Sequence, residues 1–405
     1  MVEVVREGGV IVKVLIVGAG IAGPTTAFWL NKAGHDVTIV EHAPQLRRGG
    51  YLIDFWGAGF DVAEKMGIVP ELRRRGYVMT EARAINRDGR KVASFAPDVI
   101  IESAKKYLSI ARSDLSAVIY ESLADEVELV LGDTVQKLDD DGTLVRVTFE
   151  SGNTRNFDLV IGADGLHSRV RRLAFGPDTD YEKYLGMFVA AFQGTGYPVR
   201  NELTAMMYAD IGFQALRLSL RDDVTLFLFS VRHDGDVPTD RPAQEALVRA
   251  KLADAGWEVP AMLDVMSGAK DFYFDSVSQI RMPSWSKGRI ALVGDAGACP
   301  SFLAGQGSAL GMVEGYTLAT ELAANSDHRE AFARYHERLA PLVGSKQDAA
   351  QGLGLAFAPK NHLQLFIRNT VLKMMGLPKV ADIVMGRSFH DAVELPAFPE
   401  AGPIR

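Results

Sequence analysis

Val10-Ile11-Val12-Lys13-Val14-Leu15-Ile16-Val17-Gly18-Ala19-Gly20-Ile21-Ala22-Gly23 decides the fold of this chain. An apolar, mostly β-branched run stops abruptly at Gly18, and helix-forming residues follow Gly23. The pattern reads as a buried parallel strand, a tight turn and a helix start, with the G-x-G-x-x-G fingerprint at the junction. Gly18 permits the tight turn, Gly20 lets backbone approach a pyrophosphate, and Gly23 lets the helix pack closely on the strand. Ile21 and Ala22 complete the loop, and a pyrophosphate there meets the positive end of the helix dipole. A second strand over residues 35–40 leads to Glu41, about 20 residues on, where a carboxylate grips a ribose hydroxyl. An acid at that point fits an unphosphorylated adenosine ribose, as in FAD or NAD. A glycine turn in an ordinary doubly wound sheet would look the same, so the rest of the chain has to decide.

At 405 residues the chain is long enough for two domains. It is 47% hydrophobic and 23% charged, the composition of a globular protein. A net charge of −7 provides no broad basic field for nucleic acid. The single cysteine, Cys299, excludes an internal disulfide framework and fits a reducing cytoplasm. Residues 1–9 carry acids and lack the apolar core of a signal peptide. The uncharged stretch 296–313 holds glycines, a proline, serines and a glutamine, so no membrane span is expected. Monomer and homodimer both remain open.

Working outward, Arg47-Arg48-Gly49-Gly50-Tyr51 reads as a loop passing near the nucleotide, with Arg48 and Gly50 as cofactor contacts and the glycines as hinges. Residues 61–75 read as one helix, and 77–100 as strands joined at Arg87-Asp88-Gly89. A helix is expected over 115–124, capped by Ser113 or Asp114, with Arg112 just before it. Residues 127–149 alternate as strands. A short buried strand then ends in Gly162-Ala163-Asp164-Gly165. Between about 180 and 285 strand-like runs dominate, interrupted by one helix at 242–255; this is an inserted antiparallel layer. Another buried strand ends in Gly294-Asp295, followed by Gly305-Gln306-Gly307 and a long helix. Residues 341–385 contain an amphipathic stretch that reads as a helix packed across the body.

The glycine turn with Glu41, then Arg112, Asp164-Gly165 and Gly294-Asp295, closely resembles the class A flavoprotein monooxygenases, the aromatic hydroxylases with the p-hydroxybenzoate hydroxylase fold. The likeness spans about residues 13–339 and is nearest the tetracycline-modifying and antibiotic-tailoring branch. It implies an α/β fold: a Rossmann-like, three-layer ββα FAD-binding domain, an inserted, mainly antiparallel β-sheet substrate domain, and a C-terminal helix. The expected division is 1–76, 100–175 and 285–340 for FAD, 77–99 and 176–284 for substrate, and 341–405 as a helical end. By resemblance, Gly18, Gly20 and Gly23 cradle the FAD pyrophosphate, and Glu41 takes the ribose. Arg112 approaches the flavin, and Asp164 serves FAD and NAD(P)H. Asp295 holds the ribityl chain beside Gly294, and Gly305, Gln306 and Gly307 face the flavin pyrimidine.

The resemblance further implies that NAD(P)H reduces FAD, that O2 adds at flavin C4a, and that the hydroperoxide passes one oxygen atom to an aromatic or polycyclic small molecule. Where the family loop carries histidine and, four positions on, proline, this chain has Ala298 and Phe302, which puts the pocket beside the flavin in doubt. Phe213, Arg217 and Phe302 are the candidate substrate-lining residues. The histidines show no metal-ligand spacing, and no general base stands out. Two other readings fit the same motifs: an FAD-dependent dehydrogenase or reductase of a hydrophobic molecule, and a non-catalytic flavin or ligand binder.

Overall fold

The computed structural model describes residues 11–46, 51–96, 106–199, 201–375 and 393–399. Arg48, Gly49 and Gly50 fall outside them. The fold is α/β, with two main sheets, one of six strands and one of seven. In the first, the strand Lys13–Val17 lies centrally, parallel to Asp36–Glu41 on one side and to Leu159–Gly162 on the other. Ile290–Leu292 and the short Ser286–Lys287 extend one edge, and Glu128–Leu131 the other. Strand order therefore reverses around Lys13–Val17, and the glycine turn lies at its carboxyl end, where such sheets open a crevice. Val14, Leu15, Ile16 and Val17 are all buried, as a strand covered on both faces requires.

The turn is tightly specified. Gly18 has φ +108°, and a Cβ there would lie 2.5 Å from the Ala163 carbonyl oxygen. A Cβ on Gly23 would collide with the Gly18 carbonyl oxygen. The helix Ala22–Lys32 that starts here packs on the long helix Gly307–Ala324. Gly311 and Gly315 let the two backbones approach: a Cβ on Gly315 would sit 2.6 Å from Thr26 Oγ1.

The second sheet has seven strands, in the order Phe272–Ile280, Glu182–Thr195, Val224–Arg232, Phe213–Ser219, Thr204–Asp210, Glu81–Ile85, Lys91–Phe95. Only the Thr204–Asp210/Glu81–Ile85 pair is parallel. Side chains alternate between two buried faces. Phe188, Phe192, Phe227 and Phe229 turn to one face, under the helices Arg241–Lys251 and Val259–Gly268. Burying such a ring is worth about 2–3 kcal/mol, so this face anchors the sheet. Met187, Val189, Ala191 and Leu228 turn to the other face, toward Phe302, Leu303 and the helix His328–Phe357. A two-stranded ribbon, Leu52–Trp56 with Tyr107–Ala111, runs between the sheets. A three-stranded one, over residues 135–157, flanks the first.

The structure corrects several boundaries. The helix expected over 61–75 is two, Ala58–Met66 and Val69–Arg75, because Gly67 at φ +77° ends the first. The helix expected from 115 begins at Arg112 with Ala111 at its N-cap, and neither Ser113 nor Asp114 caps it. The ribbon runs directly into the helix, with the Arg112 amide donating to the Tyr51 carbonyl at 3.1 Å. One inserted helix becomes two, Pro260 marking the first turn of the second. The helix His362–Met374 is anchored by buried Arg368, which donates to Gln214 Oε1 (2.6 Å) and the Ala356 carbonyl (2.7 Å). Leu363 and Phe366, apolar residues of the stretch read as packed across the body, are exposed. Among the described residues no helix is long and apolar enough to cross a membrane.

Candidate functional site

At the carboxyl end of Lys13–Val17, the Gly18 amide donates to the Val40 carbonyl (2.8 Å), locking the turn to the next strand. Glu41 folds back on the same turn, accepting from the Ala19 amide and the Ala43 amide, each at 2.9 Å. Ser116 Oγ donates to the Gly20 carbonyl (2.9 Å). A Cβ added at Gly20 would meet only Arg112 Nη2, at 3.8 Å. The side of the turn that faces Arg112 is thus open, while the side that faces the sheet is packed.

Asp164 lies on the loop whose backbone meets the glycine turn. Its carboxylate accepts from Ser168 Oγ (2.5 Å), the Arg169 amide (2.7 Å) and the Val170 amide (3.1 Å), so it ties off the start of the helix Arg169–Ala174. It shapes the loop against Gly18 through the neighbouring Ala163 backbone, and its own oxygens are committed.

Asp295 opens the one-turn helix Asp295–Ala298, with Gly294 at φ +63° before it. Burial raises its pKa, opposed by the Arg112 guanidinium and then by the Cys299 thiol. Burial likewise disfavours the Arg112 charge, but Tyr51, Tyr273, Asp295 and Glu41 outweigh it and hold the guanidinium pKa above its ordinary value. Among the described residues no carboxylate comes within ion-pair distance of Arg112. A Cβ added at Gly307, the first residue of the long helix, would lie 3.6 Å from Asp295 Oδ1, and Gly305 turns through the left-handed region at φ +66°. Gln306 is buried at the helix N-cap.

Under this loop lies a residue that the motif reading missed. Glu314 accepts from the Gly294 amide (2.6 Å) and lies 3.3 Å from the Tyr335 hydroxyl, which also donates to the Leu292 carbonyl (3.1 Å). Burial pushes its carboxyl up to about 8, with the Gly294 amide partly opposing and Asp295 adding to the rise. The signal was present in the sequence: a lone acid inside the run Ala309–Gly315, where glycines at 307, 311 and 315 mark a packed helix face.

Aromatic rings wall the junction between the loop and the second sheet. Tyr51 packs on Tyr273 (5.0 Å between centroids) and on Phe302 (6.0 Å), and Phe302 on Phe357 (6.0 Å). Burial raises the pKa of both tyrosines. Phe302 follows Ser301, a non-glycine residue at φ +92°, so the loop holds a strained backbone to present the ring. Cys299 is buried with Sγ 3.7 Å from the Ser278 carbonyl, and burial pushes its thiol well above the ordinary range. It fills space beneath the loop, and its burial disfavours the thiolate.

Two candidate lining residues face elsewhere. Phe213 lies on the helix-covered side of the second sheet, against Tyr208. Arg217 points the same way, pairing with Glu258 (2.9 Å) and donating to the Val199 carbonyl (2.6 Å) and Asn201 Oδ1 (3.0 Å). Strand alternation correctly puts the two on one face, but that face is closed by Arg241–Lys251 and Val259–Gly268. Their neighbours Leu216 and Leu218 pack with Tyr51 instead, and Leu216 also lies in the cluster of Phe302.

An open glycine turn, a helix N-terminus, a half-buried guanidinium with no carboxylate partner among the described residues and a half-buried aspartate adjoin one another. A long molecule with a pyrophosphate and a polyol chain fits that sequence of groups. The FAD binding domain family matches residues 11–346. The chain belongs to that family.

An uncharacterised protein of Mycobacterium tuberculosis is 38% identical, over 82% of this chain and 91% of its own length. A flavin-dependent monooxygenase of Legionella longbeachae is 31% identical, over 87% and 91%. Among solved structures, the tetracycline destructase Tet(55) superposes with a TM-score of 0.82 at 32% identity, covering 96% of this chain and 99% of its own. Klebsiella pneumoniae HpxO, complexed with FAD and uric acid, shares the fold at a TM-score of 0.78 and 19% identity, covering 93% and 96%. The family resemblance in the sequence therefore stands.

Proposed function

We propose that the chain is an FAD-dependent monooxygenase that uses NAD(P)H and O2 to insert one oxygen atom into an aromatic or polycyclic small molecule. What carries the reading is the continuous adjacency of Gly20, Arg112, Asp295 and Gly307 beside the aromatic wall of Tyr51, Tyr273 and Phe302. Bound FAD supplies the redox and oxygen chemistry; the chain's own groups hold and shield it. The open face of Gly20 and the first amides of Ala22–Lys32 suit the pyrophosphate. Glu41 is placed to exchange an amide for a ribose hydroxyl. Arg112 offsets the phosphate charge, and Asp295 takes a polyol hydroxyl. The N-terminus at Gly307 favours negative charge on the ring that lies against it. Tyr51, Tyr273, Phe302 and Phe357 keep water out and offer flat apolar surface to a flat substrate.

Tetracycline is the first probe to use, because Tet(55), a neighbour of high structural likeness, is a tetracycline destructase. Purified protein is expected to be yellow, and NAD(P)H-dependent O2 uptake to rise when the probe is added, with a product heavier by one oxygen. Loss of two hydrogens without mass gain would instead make it a dehydrogenase. No turnover with any aromatic compound would make it a binder. A second expectation concerns the loop. Asp295→Ala should weaken FAD retention at least tenfold, a buried charged-group hydrogen bond being worth about 1.5–3 kcal/mol. Unchanged retention on desalting would remove Asp295 from the site.

A further inference from the structure

Oxygen insertion of this kind has a fixed proton balance. Substrate, O2, NAD(P)H and one proton give hydroxylated substrate, NAD(P)+ and water, so each turnover draws a proton from bulk solvent. A site walled by Tyr51, Tyr273, Phe302 and Phe357 needs a route for it. Three side chains form one. Tyr273 and Asp275 are two residues apart on Phe272–Ile280 and share the face turned toward the site. The Tyr273 hydroxyl donates to Asp275 Oδ2 at 3.3 Å, and His167 Nε2 lies 2.9 Å from Asp275 Oδ1. The Asp275 side chain is 19% exposed and that of His167 60%, so the row runs from buried to wet within three residues.

We propose that His167, Asp275 and Tyr273 relay protons between solvent and the substrate side of the site, an inference that rests on the oxygenase reading above. Tyr273 is the member that faces the site, and Asp275 and His167 act through it. In the inward direction the His167 Nε2–H bond breaks and an Asp275 O–H bond forms. The carboxyl then turns to present that hydrogen to Tyr273 Oη. The tyrosine's own hydrogen passes to the acceptor in the site, and water reprotonates the imidazole. No electrons move, and every group returns to its starting state.

The surroundings suit a protonated His167. It is faced by Asp275 from its strand, by Glu182 from Glu182–Thr195 and by Asp178 from the turn Asp178–Asp180. Arg172 Nη1 donates to the His167 carbonyl (2.9 Å) and to Asp178 (2.9 Å), which keeps its cation occupied. Hydrogen bonding to Asp275 raises the imidazole pKa against the opposing effect of burial. The Asp275 carboxylate is oriented by the Ser276 amide on Oδ1 (2.8 Å) and has Tyr51, Asp295 and Cys299 within electrostatic reach on the inner side. The 3.3 Å bond is long for a hydroxyl donor and is the link expected to shorten when substrate is bound.

The same contacts would also serve as a plain strap between the two layers, so the test separates transport from tethering. In the FAD-loaded protein without NAD(P)H, NMR titration of the His167 ring should place its pKa above 6.5. Asp275→Asn should lower it, because the hydrogen bond that favours the imidazolium loses its charged partner. With tetracycline as the probe, His167→Ala should lower kcat about tenfold with little change in KM and steepen its fall at high pH. Added imidazole should restore the rate, because the position is open to solvent. Tyr273→Phe should lose rate without rescue. An ordinary His167 pKa that ignores Asp275→Asn would overturn the relay, and so would a His167→Ala loss that imidazole does not restore. Coupling by NMR in a protein that takes up no oxygen would sink the oxygenase reading; oxygen uptake without coupling would sink the relay.

Discussion

Gly23→Ala is expected to abolish FAD retention and to destabilise the fold by about 2–3 kcal/mol, the range for overpacking a closed site. The added methyl collides with the Gly18 carbonyl oxygen, and Ile16 lies behind it at 3.3 Å, so helix and strand must separate. Gly20→Ala makes the informative comparison. Its methyl would meet only the Arg112 Nη2 at 3.8 Å, so stability should stay within about 0.5 kcal/mol of wild type. FAD retention should nevertheless fall, since the methyl occupies the side where backbone must approach the pyrophosphate. Differential scanning fluorimetry and flavin absorbance after desalting read the two effects separately. Equal melting losses in both variants would refute the division of labour between these glycines.

That division was legible in the sequence because glycine requirements are local. A turn at φ +108° and a helix packed on its own strand leave a fixed spacing, and Glu41 follows at the end of the next strand. Strand alternation was legible too, placing Phe213 and Arg217 on one face. What alternation cannot supply is which face another part of the chain will cover. Here the answer depends on Val259–Gly268, a helix hidden in a stretch too short to show a clear period. Arg112 was found by resemblance, but its place beside the open face of Gly20 and within electrostatic reach of Asp295 belongs to tertiary structure. The motif singles out Asp164, and what it could not show is that the carboxylate also holds three donors of its own loop. Tyr273 and Asp275 carried no motif at all; only the second sheet brings them beside a loop more than 100 residues earlier.

Glu314 yields the second large effect, and its sign follows from linkage. Its carboxyl rises from 4.5 to about 8 on folding, chiefly through burial. Between those values the folded chain holds a proton that the unfolded chain has released. Stability therefore falls as pH rises from about 4.5 to 8 and is flat for this group above that. At about 1.4 kcal/mol per pKa unit, the loss at pH 8 is on the order of 4 kcal/mol. Glu314→Gln keeps an acceptor for the Gly294 amide and cannot ionise. The variant should match wild type near pH 4.5 and be more stable at pH 8, the gap opening steadily between. Asp54 and Asp164, whose pKa values burial also raises, contribute to both curves and cancel in the difference, whereas Asp295 is coupled to Glu314 and belongs to the measured gap. Glu314→Ala should do worse than glutamine at every pH, because it strands the Gly294 amide under the Asp295 turn at a cost of about 1–3 kcal/mol. Chemical denaturation across pH 4.5–8.5 measures all three proteins. Parallel curves for wild type and Glu314→Gln would show that Glu314 is ionised in the folded chain, and with it that a second negative charge lies beneath Asp295 at neutral pH.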